Sequence, residues 1–367
     1  MNAYRLVFLV SLVLLCSRAG LANPSPPIEI KVVVAAMFER GEPTGDAPGE
    51  LQLWIERLEL KPVYDFPLGE ADLYVNEAGV MAVLLGGGVT NAAASTMALG
   101  LDPRFDFSRA YWLIAGIAGG DPDDLSLGSA AWARHVVDGD LLYEIDGREI
   151  PEDWPYGMIP LGAKAPAKFP EDPYQGWRLD TIHFKLDPAL VFWAYQLTHD
   201  VALTDTRAMR EYRARYTDSP NARRAPFVTT GDTMSSSTYW HGELLNKWAN
   251  DWLQLYAGNA ANFMTSNMED SGTLTALHRL GRVGLVDPKR VLVLRTVSNY
   301  TRPPAGKSAE WSKSAPYPDQ GNPAIEHAFL VGNTVVQAIV QNWSSFRSDG
   351  PVNSYQSTRD PVTSDAE

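Results

Sequence analysis

Val291-Leu292-Val293-Leu294-Arg295-Thr296-Val297-Ser298-Asn299 opens on an unbroken apolar run and closes on polar residues. An apolar run this short reads as a strand buried on both faces. Open α/β sheets bind ligands just beyond their strand ends, so the Arg, Ser and Asn delivered there read as a ligand site. Upstream, Asn267-Met268-Glu269-Asp270-Ser271-Gly272 sets a Met-Glu pair at the head of a helical pattern. A carboxylate accepts two hydroxyl hydrogen bonds, as from a ribose diol, and an Asn amide both donates and accepts, as a purine edge requires. Together the two segments point to a nucleoside pocket.

Outward from these segments the chain alternates strand and helix patterns. Ile28 to Ala36 reads as a buried strand, with Met37 to Pro43 as the loop at its end. Glu50 to Leu58 has helical spacing, and Ala71 to Ala78 and Gly79 to Leu85 read as a strand pair. Gly86 to Val89 is a glycine turn and Asn91 to Leu101 a small-residue helix able to approach a sheet closely. Ala110 to Ala115 is a second buried strand, running into Gly116-Ile117-Ala118-Gly119-Gly120. Glycines in such a loop permit positive φ and let backbone N–H groups face a ligand. Ser129 to Val137 is a further strand, and Pro226 to Asp232 another. Helices are expected over Pro188 to His199, Gly242 to Leu255, Met268 to Arg282 and Asn322 to Trp343. Residues 138–227, rich in Pro, Trp and Tyr, read as an insertion, and 348–367 as a polar, disordered tail. The pattern predicts an α/β single domain, a mostly parallel or mixed sheet flanked by helices. Its functional loops should follow strands ending near Ala36, Ala115, Thr230 and Thr296.

The 367 residues carry 45% hydrophobic and 20% charged side chains, ample for a sizeable core. A formal net charge of -13 repels phosphate backbones, which argues against a nucleic-acid partner. At the N-terminus, the basic start at Arg5, the apolar run Leu6 to Cys16 and the small residues Gly20-Leu21-Ala22 read as a secretory signal peptide over 1–22. The single cysteine, Cys16, lies inside it, and Leu15 before it disfavours a lipoprotein. Export without disulfides fits a periplasmic or secreted protein. The most apolar stretch elsewhere, Val80 to Leu101, is interrupted by Gly86-Gly87-Gly88, Thr90, Asn91 and Ser95, so no membrane span is expected after processing.

Met37-Phe38-Glu39, Gly116 to Gly120, Thr230-Gly231-Asp232, Met268-Glu269 and Arg295-Thr296-Val297-Ser298-Asn299 stand in an order that resembles the nucleoside phosphorylase and nucleosidase superfamily. Gly86 to Val137 is similar to its glycine turn, Asn-Ala-Ala helix, Gly-x-Ala-Gly-Gly segment and following strand. Within it, the signal, the Gly-Gly-Gly turn, Asn-Met-Glu-Asp and Ser-Asn-Tyr look most like the purine nucleoside permease family. The resemblance implies a nucleoside phosphorylase-like fold. It implies that Glu269 binds the ribose 2′- and 3′-hydroxyls with Met268 against the sugar, and that Asn299 holds the purine edge and stabilises charge on the leaving base. It implies that Ser298 orients that loop and that Met234 lies against the base, where the family often has an aromatic residue. Gly116, Ile117, Gly119 and Gly120 would border the nucleophile.

The chain also departs from the pattern. Asn299 replaces the usual catalytic Asp, a change that in the superfamily goes with 6-oxopurines such as inosine and guanosine. Apolar Leu113 or Ile114, and Ile117, occupy the places of the phosphate-holding Arg and Ser, leaving Arg40 as the evident phosphate ligand. Glu39 is the nearest counterpart of the nucleosidases' water-activating Glu, within one to three positions.

Each residue also has a structural reading. Glu269 could be a helix N-terminal carboxylate, Asn299 a turn residue, the glycines a tight turn, Glu39 a solvated loop charge, and Asp232 a brace for its loop. His183, His199, His241, His278 and His327 are scattered without metal-ligand spacing, so no metal is expected, and His241 reads as packed core.

The expected function is an exported protein that recognises purine nucleosides and cleaves the N-glycosidic bond, a nucleosidase before a phosphorylase. No cofactor is called for; phosphate would enter only as co-substrate. The alternative is a non-catalytic nucleoside-binding or uptake protein that hands nucleosides to a separate transporter. Relatives' symmetry makes a homo-oligomer plausible.

Overall fold

Every residue of Val32–Ala36 is buried, and this strand lies inside the main sheet of a computed structural model that describes residues 26–168 and 180–351. The sequence pattern joins it to Ile28-Glu29, but the chain breaks between them. Ile28–Glu29 pairs with Phe105–Asp106 in a separate two-stranded sheet. The backbone changes partners at the break: Ile30 N donates to the Asp106 carbonyl at 3.1 Å, and Lys31 N to the Gly79 carbonyl at 2.8 Å.

The main sheet has ten strands. From one edge it runs Val63–Tyr64, Leu73–Val75, Val80–Leu84, Val32–Ala36 and Tyr111–Gly120. It then closes on itself. Tyr111–Gly120 pairs with Val291–Tyr300, which pairs with Ala130–Asp138, then Val228–Ser235, then Phe263–Asn267. Phe263–Asn267 returns to Tyr111–Gly120 through Thr265 opposite Gly120 and Ser266 opposite Gly119. Parallel and antiparallel pairings both occur around this ring, so the sheet is mixed. Glycine in a strand marks a sharp bend or a close approach, and the ring closes at Gly119 and Gly120.

Strands run further than their apolar runs. Gly116 to Gly120 is the end of a strand, not a loop, and none of its glycines has positive φ. Likewise the strands expected to end near Thr230 and Thr296 continue to Ser235 and Tyr300. Polar ends are tolerated because the ring satisfies their backbone groups on both sides.

Helices Val89–Gly100 and Asp270–Arg282 pack side by side against the sheet. The long helix Asn322–Gln341 covers the other face, burying Ile325, Phe329, Val335 and Ile339. Inside 138–227, His183–Lys185 joins the main sheet beside Ala130–Asp138, and Pro188–Thr198 packs on Asn322–Gln341. The insertion therefore contributes to the principal body. The expected signal peptide and residues 352–367 of the expected tail lie outside the described residues. No helix of the described residues is long and apolar enough to cross a membrane.

The first of these helix pairs depends on one residue. A Cβ on Gly272 would sit 2.1 Å from the Val89 carbonyl oxygen, a backbone atom that cannot swing aside. Gly272→Ala is expected to cost about 1–3 kcal/mol as an overpacking defect. A urea midpoint lowered at unchanged slope would register it; an unchanged midpoint would show that the helices can part.

Candidate active site

The ends of Val32–Ala36, Tyr111–Gly120, Phe263–Asn267 and Val291–Tyr300 meet at a cleft of about 700 Å³, open to solvent. A concave site at converging strand ends, lined by apolar and aromatic side chains with a few polar groups, suits a small-molecule ligand.

At one end stands Glu269. Asn267, the last residue of its strand, accepts from the N–H of Glu269 at 3.1 Å and of Asp270 at 2.9 Å, which fixes the entry to the helix. The Glu269 carboxylate accepts from Met268 N at 3.2 Å and, more distantly, from Gly88 N at 3.4 Å in the glycine turn. Gly88 takes positive φ there, a conformation glycine adopts without strain. Glu269 is only 7% exposed, and burial raises its pKa above the ordinary carboxylate value. Met268 and Glu269 both line the cleft.

At the other end stand Ser298 and Asn299. In an unbroken strand, neighbours point to opposite faces. Here the register against Tyr111–Gly120 slips between Val297 and Asn299, and a bulge of this kind re-aims side chains. Both residues consequently line the cleft. Ser298 Oγ donates to the Ala118 carbonyl at 3.2 Å and to Asn299 Oδ1 at 3.0 Å, while Asn299 Nδ2 donates to the Tyr300 carbonyl at 3.2 Å. Those bonds hold the amide in one orientation. A Cβ on Gly119 would lie 3.4 Å from Asn299 Nδ2, so glycine leaves the amide its room.

Between the two ends lies Glu50. Its Oε2 accepts from Met37 N at 2.8 Å and its Oε1 from Ile117 N at 2.6 Å. It lines the cleft, yet burial lifts its pKa from 4.5 to about 7, against the lowering pull of Arg295. Arg295 is fully buried behind both carboxylates. It pairs bidentately with Asp270, lies 3.5 Å from Glu269 Oε2, and donates to the Ile117 carbonyl at 3.2 Å. A Cβ on Gly116 would fall 2.5 Å from Glu50 Oε1 and 2.7 Å from Arg295 Nη1. Gly116 thus clears space for the acid and its counter-charge, and does not itself line the cleft.

Several residues singled out from the sequence sit elsewhere. Glu39 is outside the cleft lining, and its carboxylate accepts from the backbone N–H of Arg40, Gly49, Leu51 and Gln52 at the start of helix Gln52–Arg57. Glu50, eleven positions on, reads in the sequence only as the first residue of a helical pattern, and in the structure it precedes helix Gln52–Arg57. The signal that could find it is a carboxylate set directly before the apolar residues Leu51, Leu53, Trp54 and Ile55. Arg40 also lies outside the lining and donates to Asn322 Oδ1 and the Gln320 carbonyl, both at 2.7 Å. Met234 is wholly buried in a cluster with Trp240, Trp248, Trp252 and Phe263. Its strand presents it to the core, and the aromatic side chains at the cleft are Phe38, Tyr239, Trp240 and Tyr317. Of the glycine segment, Ile117 and Gly119 line the cleft, whereas Gly120 packs against Val297. Asp232 is buried, pairs with Arg134 at 2.8 Å and accepts from His135 N and Asn262 N, so it braces its strand. His241 contacts Ser312 at 3.2 Å, away from the lining.

Residues 29–351 match the family model described as purine nucleoside permease (NUP). A probable purine nucleoside permease of Schizosaccharomyces pombe is 29% identical over 89% of this chain and 94% of its own length. A purine nucleoside permease of Candida albicans is 30% identical over 74% of this chain and 66% of its own. Among solved structures, a 5'-methylthioadenosine/S-adenosylhomocysteine nucleosidase of Campylobacter jejuni is 16% identical, with a TM-score of 0.49 over 85% of this chain and 99% of that one. A futalosine hydrolase of Helicobacter pylori is 15% identical, with a TM-score of 0.47 over 83% and 97%. The chain belongs to the purine nucleoside permease family.

Proposed function

From this family membership and the geometry of the cleft, we propose that the protein binds purine nucleosides and hydrolyses their N-glycosidic bond. The observation that carries the reading is Glu50: a cleft carboxyl poised to titrate near neutrality, beside a second carboxyl and a buried arginine. Glu269 takes the ribose diol, with Met268 against the sugar. Ser298 and Asn299 take the base. Breaking the bond leaves oxocarbenium character on the sugar and negative charge on the base. Glu50 removes a proton from water as the water oxygen bonds to the anomeric carbon, and the glycosidic electron pair leaves with the base. Asn299 Nδ2 donates to the base where charge develops, which lowers the barrier. It has no proton to give up, so the base takes its proton from solvent.

Water is favoured over phosphate on electrostatic grounds. Among the described residues the charged groups lining the cleft are Glu50 and Glu269, and no Lys or Arg joins them. Two carboxyls repel a phosphate dianion. Incubation of the purified protein with inosine is expected to release hypoxanthine and free ribose at the same rate with and without phosphate. Ribose 1-phosphate as the sugar product would instead mark phosphorolysis.

A second reading, capture of nucleosides for uptake without cleavage, is favoured by the amide at Asn299, which cannot act as an acid. Tight inosine binding without base release would select it. We also place the protein outside the cytoplasm on the strength of residues 1–22; a mature form whose N-terminal sequence begins near Asn23 is the expected result.

A further inference from the structure

We propose that Tyr239 and Tyr317 are the residues that select the base, their paired hydroxyls supplying the donor that a carbonyl oxygen on the purine requires. The inference rests on the nucleoside reading of the cleft and goes beyond it by naming what sets base preference.

The two phenol oxygens are hydrogen-bonded to each other, although they come from segments far apart in sequence. Both rings line the cleft. They stand at its Ser298–Asn299 end: the Asn299 side chain is among the groups that act on the Tyr239 phenol. A Cβ on Gly321 would touch the Tyr317 ring at 3.6 Å and the Ser298 Cβ at 3.9 Å. Burial raises both phenols above their ordinary pKa, so each keeps its proton at physiological pH. Of the two protons, one lies between the oxygens and the other is free to donate. The Asn299 amide, held by Ser298 and Tyr300, has one further N–H to offer. The base end therefore presents two neutral donors side by side. A 6-oxopurine offers two neighbouring acceptors, N7 and O6, whereas a 6-aminopurine offers an acceptor and a donor.

Both tyrosines are held in place from outside the cleft. Ser236 Oγ and Ser237 N donate to Asp140 at 2.6 and 2.9 Å, and Ser237 Oγ accepts from Val89 N at 3.1 Å, anchoring the Tyr239 loop. After Tyr317, Asp319 and Gln320 adopt positive φ of 49° and 59°. Non-glycine residues hold that conformation only where the surroundings impose it, and such strain clusters at ligand clamps. Arg40 on the Gln320 carbonyl and Asn322, and Thr206 on Asp319 at 2.6 Å, impose it here. Arg40 is thus a positioning residue for Tyr317.

Calorimetric titration of the full chain with hypoxanthine and with adenine tests the proposal. Wild type is expected to favour hypoxanthine by about tenfold or more, the worth of one hydrogen bond. Tyr239→Phe and Tyr317→Phe keep the rings and remove one hydroxyl each; each should bring the ratio close to one, and the double variant should add little. Arg40→Ala should weaken hypoxanthine more than free ribose. Phenylalanine variants that keep the wild-type ratio would overturn the assignment while leaving the nucleoside reading intact. A wild type that binds neither bases nor nucleosides would overturn both.

Discussion

Glu50→Gln is expected to lower kcat for inosine by about 10²–10⁴-fold, the usual contribution of a general base, while inosine still binds. The pH profile is the sharper readout. A base whose pKa is lifted to about 7 is protonated and idle in acid, so kcat/KM of the wild type should rise with pH and reach half its plateau near 7. In the Gln variant the residual rate should lose that limb.

Stability supplies an independent sign. Because the folded-state pKa of Glu50 lies above its unfolded value of 4.5, its stabilising contribution is full below 4.5 and is lost as pH rises to about 7. The variant lacks that term but leaves one of two buried N–H groups, on Met37 or Ile117, without an acceptor. These effects oppose each other, so at pH 8 the unfolding free energy should move by only about 1–2 kcal/mol. A folded Gln variant that turns over inosine at the wild-type rate would remove Glu50 from the chemistry.

Arg295→Met is expected to produce the largest loss of stability, about 3–5 kcal/mol, the cost of breaking a buried ion pair from one side. Arg295 is 1% exposed and serves Asp270 directly, with Glu269 and Glu50 inside its field. Its removal leaves buried carboxylates with no counter-charge. At Glu50 and Glu269 burial already outweighs the arginine, so both would be driven to still higher pKa. Raised folded-state values mean stability lost with rising pH, so the deficit should be greatest in alkali and shrink on acidification. Equilibrium urea unfolding at pH 5 and pH 8 checks this; a deficit equal at both would show that Arg295 acts through packing alone.

Much of the fold was legible because apolar runs report burial directly. The helices read as Pro188 to His199, Gly242 to Leu255 and Asn322 to Trp343 fall within two residues of their observed bounds. Strand ends were less legible. Gly116 to Gly120 looks like a loop in one dimension, since glycine supplies no apolar signal, and becomes strand only because two neighbouring strands bond it. The side-chain assignments diverged for a related reason. Glu39 and Arg40 follow the first core strand directly, yet the chain turns back and their polar groups meet backbone partners, bringing Glu50 to the place they were expected to fill.

From the sequence alone came the alternation of elements, the family, and the two segments that carry Met268-Glu269 and Ser298-Asn299, because each depends on residues contiguous in the chain. Tertiary structure alone decided that these segments share one cleft, that a bulge turns Ser298 and Asn299 to the same side, and that Glu50 and Arg295 meet across the clearance left by Gly116. The physical reason is that a carboxyl's working pKa and a side chain's direction are set by ring closure, register and burial, which arise between segments distant in sequence.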